Sequence, residues 1–382
     1  MDNPPNPDTQ PPVVPPPATP PAPPPVLAPT PRERPRAGRS GRGWMILSLI
    51  LLVLLAISFL GNLKSLVLAL LPIAPPTAYV SGPQLREVVV EDNRSSAKIA
   101  LIDIDGVIYG GYVGAGDASP VELAASQLQR AREDPHVKAV ILRINSPGGE
   151  VLAADEIARA VTEFQDKSGK PVIVSMEGLA ASGGYYVAAP CRWIVANELS
   201  LTGSIGVIMH GYNYRGLLDK VGVRPQVYKS GKFKDMLSGD KKEVTPEEDA
   251  MIQKLIEETF ERFKAVVAEG RARANRANEG KGRKLAENWQ DFADGRVLSG
   301  KQAYDLGFVD ELGTFKTAVS RAKAIAGVAS ANLVRYQQPP SFTDFFRLFG
   351  KAESTTVKLD VGLDLPKLEI GRLYFLFAPG AR

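Results

Sequence analysis

With 382 residues, a net charge of only +4, one cysteine and two histidines, the chain is longer than one ordinary domain and excludes several classes at once. Cys191 by itself excludes an intramolecular disulfide framework and a thiolate metal site, and His136 and His210 are too few for a site built on imidazole. No metal or cofactor is expected, and the small net charge implies no nucleic acid or other acidic partner.

Fourteen of the first thirty residues are proline. Such a segment buries too little apolar surface to offset its ordering entropy, so residues 1–43 read as a disordered, partly polyproline tail. Arg32, Arg34, Arg36, Arg39 and Arg42 close it, and an uncharged apolar run follows at 44–63. About 20 apolar residues match the hydrocarbon core of a bilayer, which makes 44–74, with its apolar continuation, an expected transmembrane anchor. The arginines on its N-terminal side place the tail in the cytoplasm and the rest outside. The tail is too long for the n-region of a cleaved signal peptide.

Residues 75–96 read as a linker with one short strand around Glu87 and the valines that follow. From Ala97 the chain alternates. The spacing predicts a buried strand ending at Gly106. A helix then opens with Ser119 as cap, Pro120 at its first position and Glu122 as capping-box partner. Next come a strand over 137–144, an amphipathic helix over 150–164, a strand over 171–176, and a helix at the small-residue segment around Ser182. Strands over 192–197 and 206–209 follow. Thr245 caps a long charged helix running to about Glu269, and residues 295–313 read as turn, short helix and strand. Residues 331–382 look looser and end in an apolar stretch. This alternation argues for right-handed βαβ units and a mostly parallel, buried sheet of the α/β class.

In such sheets, sites gather at the carboxyl ends of strands. Two glycine-rich turns fall there. Gly148-Gly149 exposes backbone N–H groups able to hold an anion or a developing oxyanion, and Gly183 could supply a second donor beside Ser182. Either turn alone is an ordinary strand-to-helix connection; two of them beside a serine cleared of bulky neighbours raise the case for chemistry. The surroundings of Ser182 approach the hydrolase nucleophile elbow, with Gly184 in place and Ala180 where the first glycine would be. A serine nucleophile needs a base. His210 stands alone, while Lys232 and Lys234 offer amines that must be desolvated to act near neutral pH. In extended chain both lysines point to one face, and periodicity does not choose between them.

The segments Ile-Asn-Ser-Pro-Gly-Gly (144–149), Ala-Ala-Ser-Gly-Gly-Tyr-Tyr (180–186), Thr-Gly-Ser-Ile-Gly-Val (202–207) and Ser-Gly-Lys-Phe-Lys-Asp (230–235), in this order, resemble the signal peptide peptidase A family. Residues 295–313 strengthen the likeness, which covers roughly 97–330. The resemblance implies a Clp protease/crotonase-like fold of βαβ units behind an N-terminal transmembrane helix, with a peptidase domain at 97–330 and a C-terminal extension at 331–382. It also implies a Ser-Lys serine endopeptidase in the short, single-unit form. Ser182 matches the nucleophile, Lys234 the general base and Ser204 the serine that orients the lysine. Gly149 and Gly183 match the oxyanion donors. Implied further are apolar peptide substrates such as cleaved signal peptides, a bacterial inner-membrane location with the catalytic domain outside, and a homo-oligomeric ring, an octamer being the size suggested. In that ring the dyad is completed between neighbouring subunits. The competing readings are a crotonase-like acyl-CoA enzyme, disfavoured by a Ser-Lys pair and an external domain, and a catalytically silent membrane scaffold.

Overall fold

The structure is a computed structural model and describes residues 41–70, 83–111, 118–241, 243–338 and 372–377. Residues 1–40 of the expected tail at 1–43, the first part of the expected linker and most of the expected C-terminal extension lie outside the described residues. The chain divides into two units, Met1–Tyr79 and Val80–Arg382. In the first, helix α1 spans Gly41–Leu70 and carries the apolar run 44–63. Among the described residues no helix is long and apolar enough to cross a membrane, so the anchor stays a proposal.

In the second unit, β1 (Arg86–Glu91) is the short strand expected near Glu87, and β2 (Lys98–Asp105) ends before Gly106, which turns the chain at φ +71°. Helix α2 (Pro120–Glu133) begins as its sequence specifies. The Ser119 hydroxyl accepts the Glu122 N–H at 3.2 Å, and the Glu122 carboxylate accepts the Ser119 N–H at 3.3 Å. Strands β3 (Val137–Ser146) and β4 (Gly148–Glu150) precede α3 (Val151–Ser168), which stops at the left-handed Gly169. Then come β5 (Val172–Ala181), α4 (Gly183–Ala188), β6 (Trp193–Ala196), β7 (Leu201–Gly203), β8 (Ile208–Met209) and α5 (Arg215–Lys220). Helix α6 (Pro246–Ala277) has the expected Thr245 cap. Strand β9 (Val297–Ser299), α7 (Gly300–Asp305), β10 (Glu311–Leu312), α8 (Phe315–Ala326), β11 (Asn332–Gln337) and β12 (Leu373–Leu376) complete the order.

The main sheet runs β1-β11-β2-β3-β5-β6-β10, with β7 beside the end of β5 and β9 beside β7. Strands β11, β2, β3, β5, β6 and β10 are parallel neighbours, and only β1 and β9 join antiparallel. Alternate residues bury on opposite faces. Ala100, Ile102, Val140, Leu142 and Val174 face α2, α3 and α4, while Ile99, Leu101, Ile141 and Ile173 face α8. Burial on both faces makes these strands read as continuous apolar runs. The mixed α/β class with a parallel sheet is therefore present. Strand β11 lies between β1 and β2 in the sheet, so the ordered unit runs past the boundary read at residue 330. Its Leu333, Val334 and Tyr336 are buried on the two faces of the sheet, a pattern that a six-residue strand hardly announces.

Helix α6 outruns its expected end because tertiary packing overrides Gly270. A Cβ there would strike the Ala189 carbonyl, and the next residue, Arg271, is 1% exposed. Its guanidinium reaches the Cys191 carbonyl at 3.1 Å and pairs with the buried Asp310 carboxylate. Asp310 also accepts the Ile194 N–H at 2.9 Å. One ion pair thus ties α6, β6 and the strand end before β10.

Breaking a fully buried pair leaves an uncompensated charge. Asp310→Ala is therefore expected to destabilise the protein by about 3–5 kcal/mol, read from urea or thermal unfolding; a loss under about 1 kcal/mol would show that the pair is replaceable. Cys191 is fully buried and desolvation pushes its thiol up. It should resist alkylation in the folded protein and react stoichiometrically once unfolded; rapid labelling of the native chain would contradict this packing.

Candidate active site

Strand β5 changes neighbours along its length. Its first half pairs with β6, and Leu179, Ala180 and Ala181 pair with Leu201, Thr202 and Gly203 of β7. On its other side Ala180 pairs with Ser146 of β3. The small residues 180 and 181 are fully buried between these backbones. The Thr202 hydroxyl donates to the Ala180 carbonyl at 2.7 Å, and the Ser182 N–H donates to the Gly203 carbonyl at 2.8 Å. Ser182 is thereby fixed where β5 ends and α4 begins.

Its backbone is unusual. Ser182 has φ 53° and ψ −115°, a region costing a non-glycine residue about 1–3 kcal/mol and concentrated at functional sites. The residue is 1% exposed, and its side chain does not cap the helix that it starts. Gly183 follows at the first helical position, where an N–H has no intrahelical partner. Gly184 packs against β3, and a Cβ there would lie 3.0 Å from the Ser146 carbonyl oxygen.

Gly148 and Gly149 come from the neighbouring strand end. They were expected at a helix start; instead they belong to β4, with Glu150 as the residue before α3. The Ile108 N–H donates to the Gly148 carbonyl and the Glu150 N–H to the Ile108 carbonyl, both at 2.8 Å. This bridge leaves no room for a side chain on Gly149, where a Cβ would run into the Ile108 carbonyl. A Cβ on Gly183 would lie 3.1 Å from both the Gly149 nitrogen and the Gly148 Cα. The structure therefore brings Ser182, Gly183 and Gly149 together.

Ser204 is close by in the chain path. It follows Gly203, has φ 48°, is 7% exposed and donates its N–H to the Arg296 carbonyl at 2.7 Å. Lys234 makes no hydrogen bond to Ser182 or Ser204 among the described residues. It sits exposed on the segment after α5. Its neighbours are otherwise engaged. Lys232 pairs with Glu247, Lys229 with Asp235 at 2.7 Å, and Lys241 with Glu248 at 2.5 Å. His210 has its Nε2 buried without a hydrogen-bond partner, in a small pocket with Tyr212 and Met236. Among the described residues no group of acidic, histidine and cysteine side chains could hold a metal.

Below the serine lies an aromatic cluster. Tyr186 stacks on Phe375 with ring centroids 4.8 Å apart, and Phe263 of α6 lies 4.6 Å from Phe375. The Tyr186 hydroxyl donates to the buried Asp155 carboxylate at 2.6 Å. Desolvation first, and that carboxylate second, push the phenol up. Phe375 was missed by sequence reading, since a four-residue apolar stretch near a chain end carries no signal of where it docks.

Residues 164–329 match the description Peptidase family S49. Relatives extend the match. A putative protease of Synechocystis sp. is 39% identical over 231 residues, covering 60% of this chain and 75% of that protein. A putative signal peptide peptidase SppA of Enterococcus faecium is 34% identical over 269 residues, covering 68% and 72%. The chain belongs to peptidase family S49. It is a peptidase of the serine class, and the signal peptide peptidase A resemblance holds. Protease 4 of Salmonella typhi is 37% identical over 246 residues, which are 64% of this chain and 37% of that protein.

In this S49 peptidase the contacts at Gly183 predict a graded effect. Gly183→Ala should displace the neighbouring Gly149 N–H by tenths of an ångström and lower the hydrolysis rate about 10²–10³-fold, the cost of losing one oxyanion donor. Kinetics on a peptide substrate, with circular dichroism to confirm folding, would read it; an unchanged rate would remove this N–H from the site.

Proposed function

We propose that this chain is a membrane-anchored serine endopeptidase using a Ser182–Lys234 dyad, with the N–H groups of Gly149 and Gly183 as oxyanion donors. The observation that carries the reading is the strained, buried Ser182 at a strand-to-helix turn with both glycine nitrogens beside it. Ser182 Oγ attacks the scissile carbonyl carbon while the neutral Lys234 amine takes its proton. The tetrahedral oxyanion is held by the two N–H groups. Collapse returns the proton to the leaving amine and leaves an acyl ester on Ser182, which water, deprotonated by the same lysine, hydrolyses. Ser204 positions the lysine amine.

Lys234 reaches a serine of a neighbouring subunit in this reading. Two observations support it. Lys234, unlike Lys229, Lys232 and Lys241, has no acidic partner among the described residues. The segment bearing it also exposes Tyr212, Leu217, Val221, Val223, Val227 and Tyr228 to water, a run of apolar side chains of the kind that marks interaction sites. A second copy would cover that surface and desolvate the amine. Repetition of such a heterologous contact closes a ring. The uncharged run 44–63 on α1, with arginines before it, supports a single-pass anchor and a catalytic unit outside the cytoplasm. Apolar peptides, including signal-peptide remnants, are the substrate class.

Ser182→Ala should abolish hydrolysis in a folded protein. Mixing dissociated Ser182→Ala and Lys234→Ala chains and allowing reassembly should restore activity, because some sites then combine an intact serine with an intact lysine. Absence of recovery, with reassembly verified by sedimentation, would place both groups in one subunit. Lys232→Ala should leave the rate unchanged; a dead Lys232→Ala beside an active Lys234→Ala would reverse the assignment.

A further inference from the structure

The two oxyanion donors assigned here sit on different elements. The Gly149 N–H belongs to β4, directly before α3, and the Gly183 N–H opens α4. The chain between them runs through the whole of α3 and β5, so their separation depends on how α3 sits on α4. An oxyanion hole works only if its donors stay within about 0.5 Å of the productive geometry. A directional bond between the two helices fixes that separation more sharply than non-directional apolar burial.

Asp155 makes that bond. It follows Gly149 on α3, as Tyr186 follows Gly183 on α4. The Tyr186 hydroxyl donates to Asp155 Oδ1 at 2.6 Å, and the Tyr186 N–H donates to the Ser182 carbonyl at 2.8 Å. The phenol gripped by α3 therefore belongs to the residue whose backbone closes the first turn after the serine. Asp155 Oδ2 pairs with Arg159 Nε at 2.5 Å, and Oδ1 with Arg262 Nη2 of α6 at 3.5 Å. Three helices meet on one carboxylate that is only 8% exposed. By spacing alone Asp155 and Arg159 form an ordinary surface pair of one helix; the structure turns the aspartate inward. Tyr185 supplies the contrast. Equally buried, it donates to a neutral acceptor, the Phe308 carbonyl, at 3.0 Å. A bond to a carboxylate is shorter and roughly twice as strong as one between neutral groups.

We propose that Asp155 and Tyr186 are positioning residues for the oxyanion site, tying the start of α3 to the start of α4 so that the Gly149 and Gly183 N–H groups keep a fixed separation. They act through the two glycines and not on the substrate. Arg262 extends the same clamp to α6, whose Phe263 holds the Tyr186 ring edge-on at 5.0 Å. The inference rests on the Ser182 reading, since the donors matter only where that serine is the nucleophile.

The test uses the full chain, with a fluorogenic apolar peptide as probe, and two variants. Tyr186→Phe removes the phenol oxygen and keeps the ring, and Asp155→Asn removes the charge and keeps the shape. Loosened donors weaken transition-state binding and spare ground-state binding. Each variant should therefore lose about 10–100-fold in kcat with KM unchanged. A peptide aldehyde forms a hemiacetal with Ser182 and puts its oxygen at the oxyanion position, so its affinity should fall by the same factor. The double variant should be no slower than the slower single one, because both break one bond. The pH dependence of kcat/KM should stay that of the unaltered chain, because neither group exchanges a proton with the substrate. Rates are taken per folded molecule, from circular dichroism and thermal unfolding. Should Asp155→Asn not fold, Tyr186→Phe, which leaves Asp155 with both arginines, decides alone. Unchanged kcat and aldehyde affinity in folded Tyr186→Phe would overturn the proposal and keep the Ser182 reading. A double loss equal to the product of the single ones, or a shifted pH profile, would also overturn it. Full activity in Ser182→Ala would sink the Ser182 reading itself.

Discussion

Gly148 and Gly183 lie against the Phe375 carbonyl and Gly149 against the Ile108 carbonyl, with no space for a Cβ at either Gly148 or Gly149. The close approach follows from topology. Strands β3 and β5 are adjacent and parallel, so their carboxyl ends open side by side and the chain leaves both through glycine-rich turns. Only residues without side chains let the two exits draw together this closely. The strained Ser182 depends on this arrangement, because bonds to Gly203 and the packing of Gly184 on β3 hold it in a conformation that it would not otherwise keep.

Rigidity behind the site comes from helix α6. Its Arg271 joins Asp310 and the carbonyls after α4, and its Phe263 packs on Tyr186 from α4. The nucleophile helix has only six residues, too few to be stable by itself. It stays formed because the sheet lies on one side and α6 on another. Stability and site geometry are coupled here through buried charge and aromatic contact, not through helix propensity.

The two edges of this unit differ in character. The segment after α5 exposes apolar side chains and Lys234, whereas the space between β4 and β8 is filled by strand β12. In the proposed reading the exposed segment is where a second copy of the chain docks.

Much of this was legible in the residues themselves. The capping boxes at Ser119 and Thr245, the apolar strands and the strand-to-helix turn at Ser182 are local signals, and each fell where its pattern placed it. Other elements left weak traces. Helix α8 buries Ala318 and Ala322, too small to make an apolar stripe, and α5 buries no side chain at all. Strand β7 has only three residues, too short for alternation to show. Sequence could mark Ser182, Gly149 and Gly183 as candidates because a nucleophile and backbone donors would need particular residue types at strand ends. Tertiary structure alone decided that Gly149 lies in a strand, that Lys234 stands exposed, and that Phe375 docks on Tyr186 and Phe263. These are contacts between segments far apart in the chain, set by packing and register, and no local pattern encodes them.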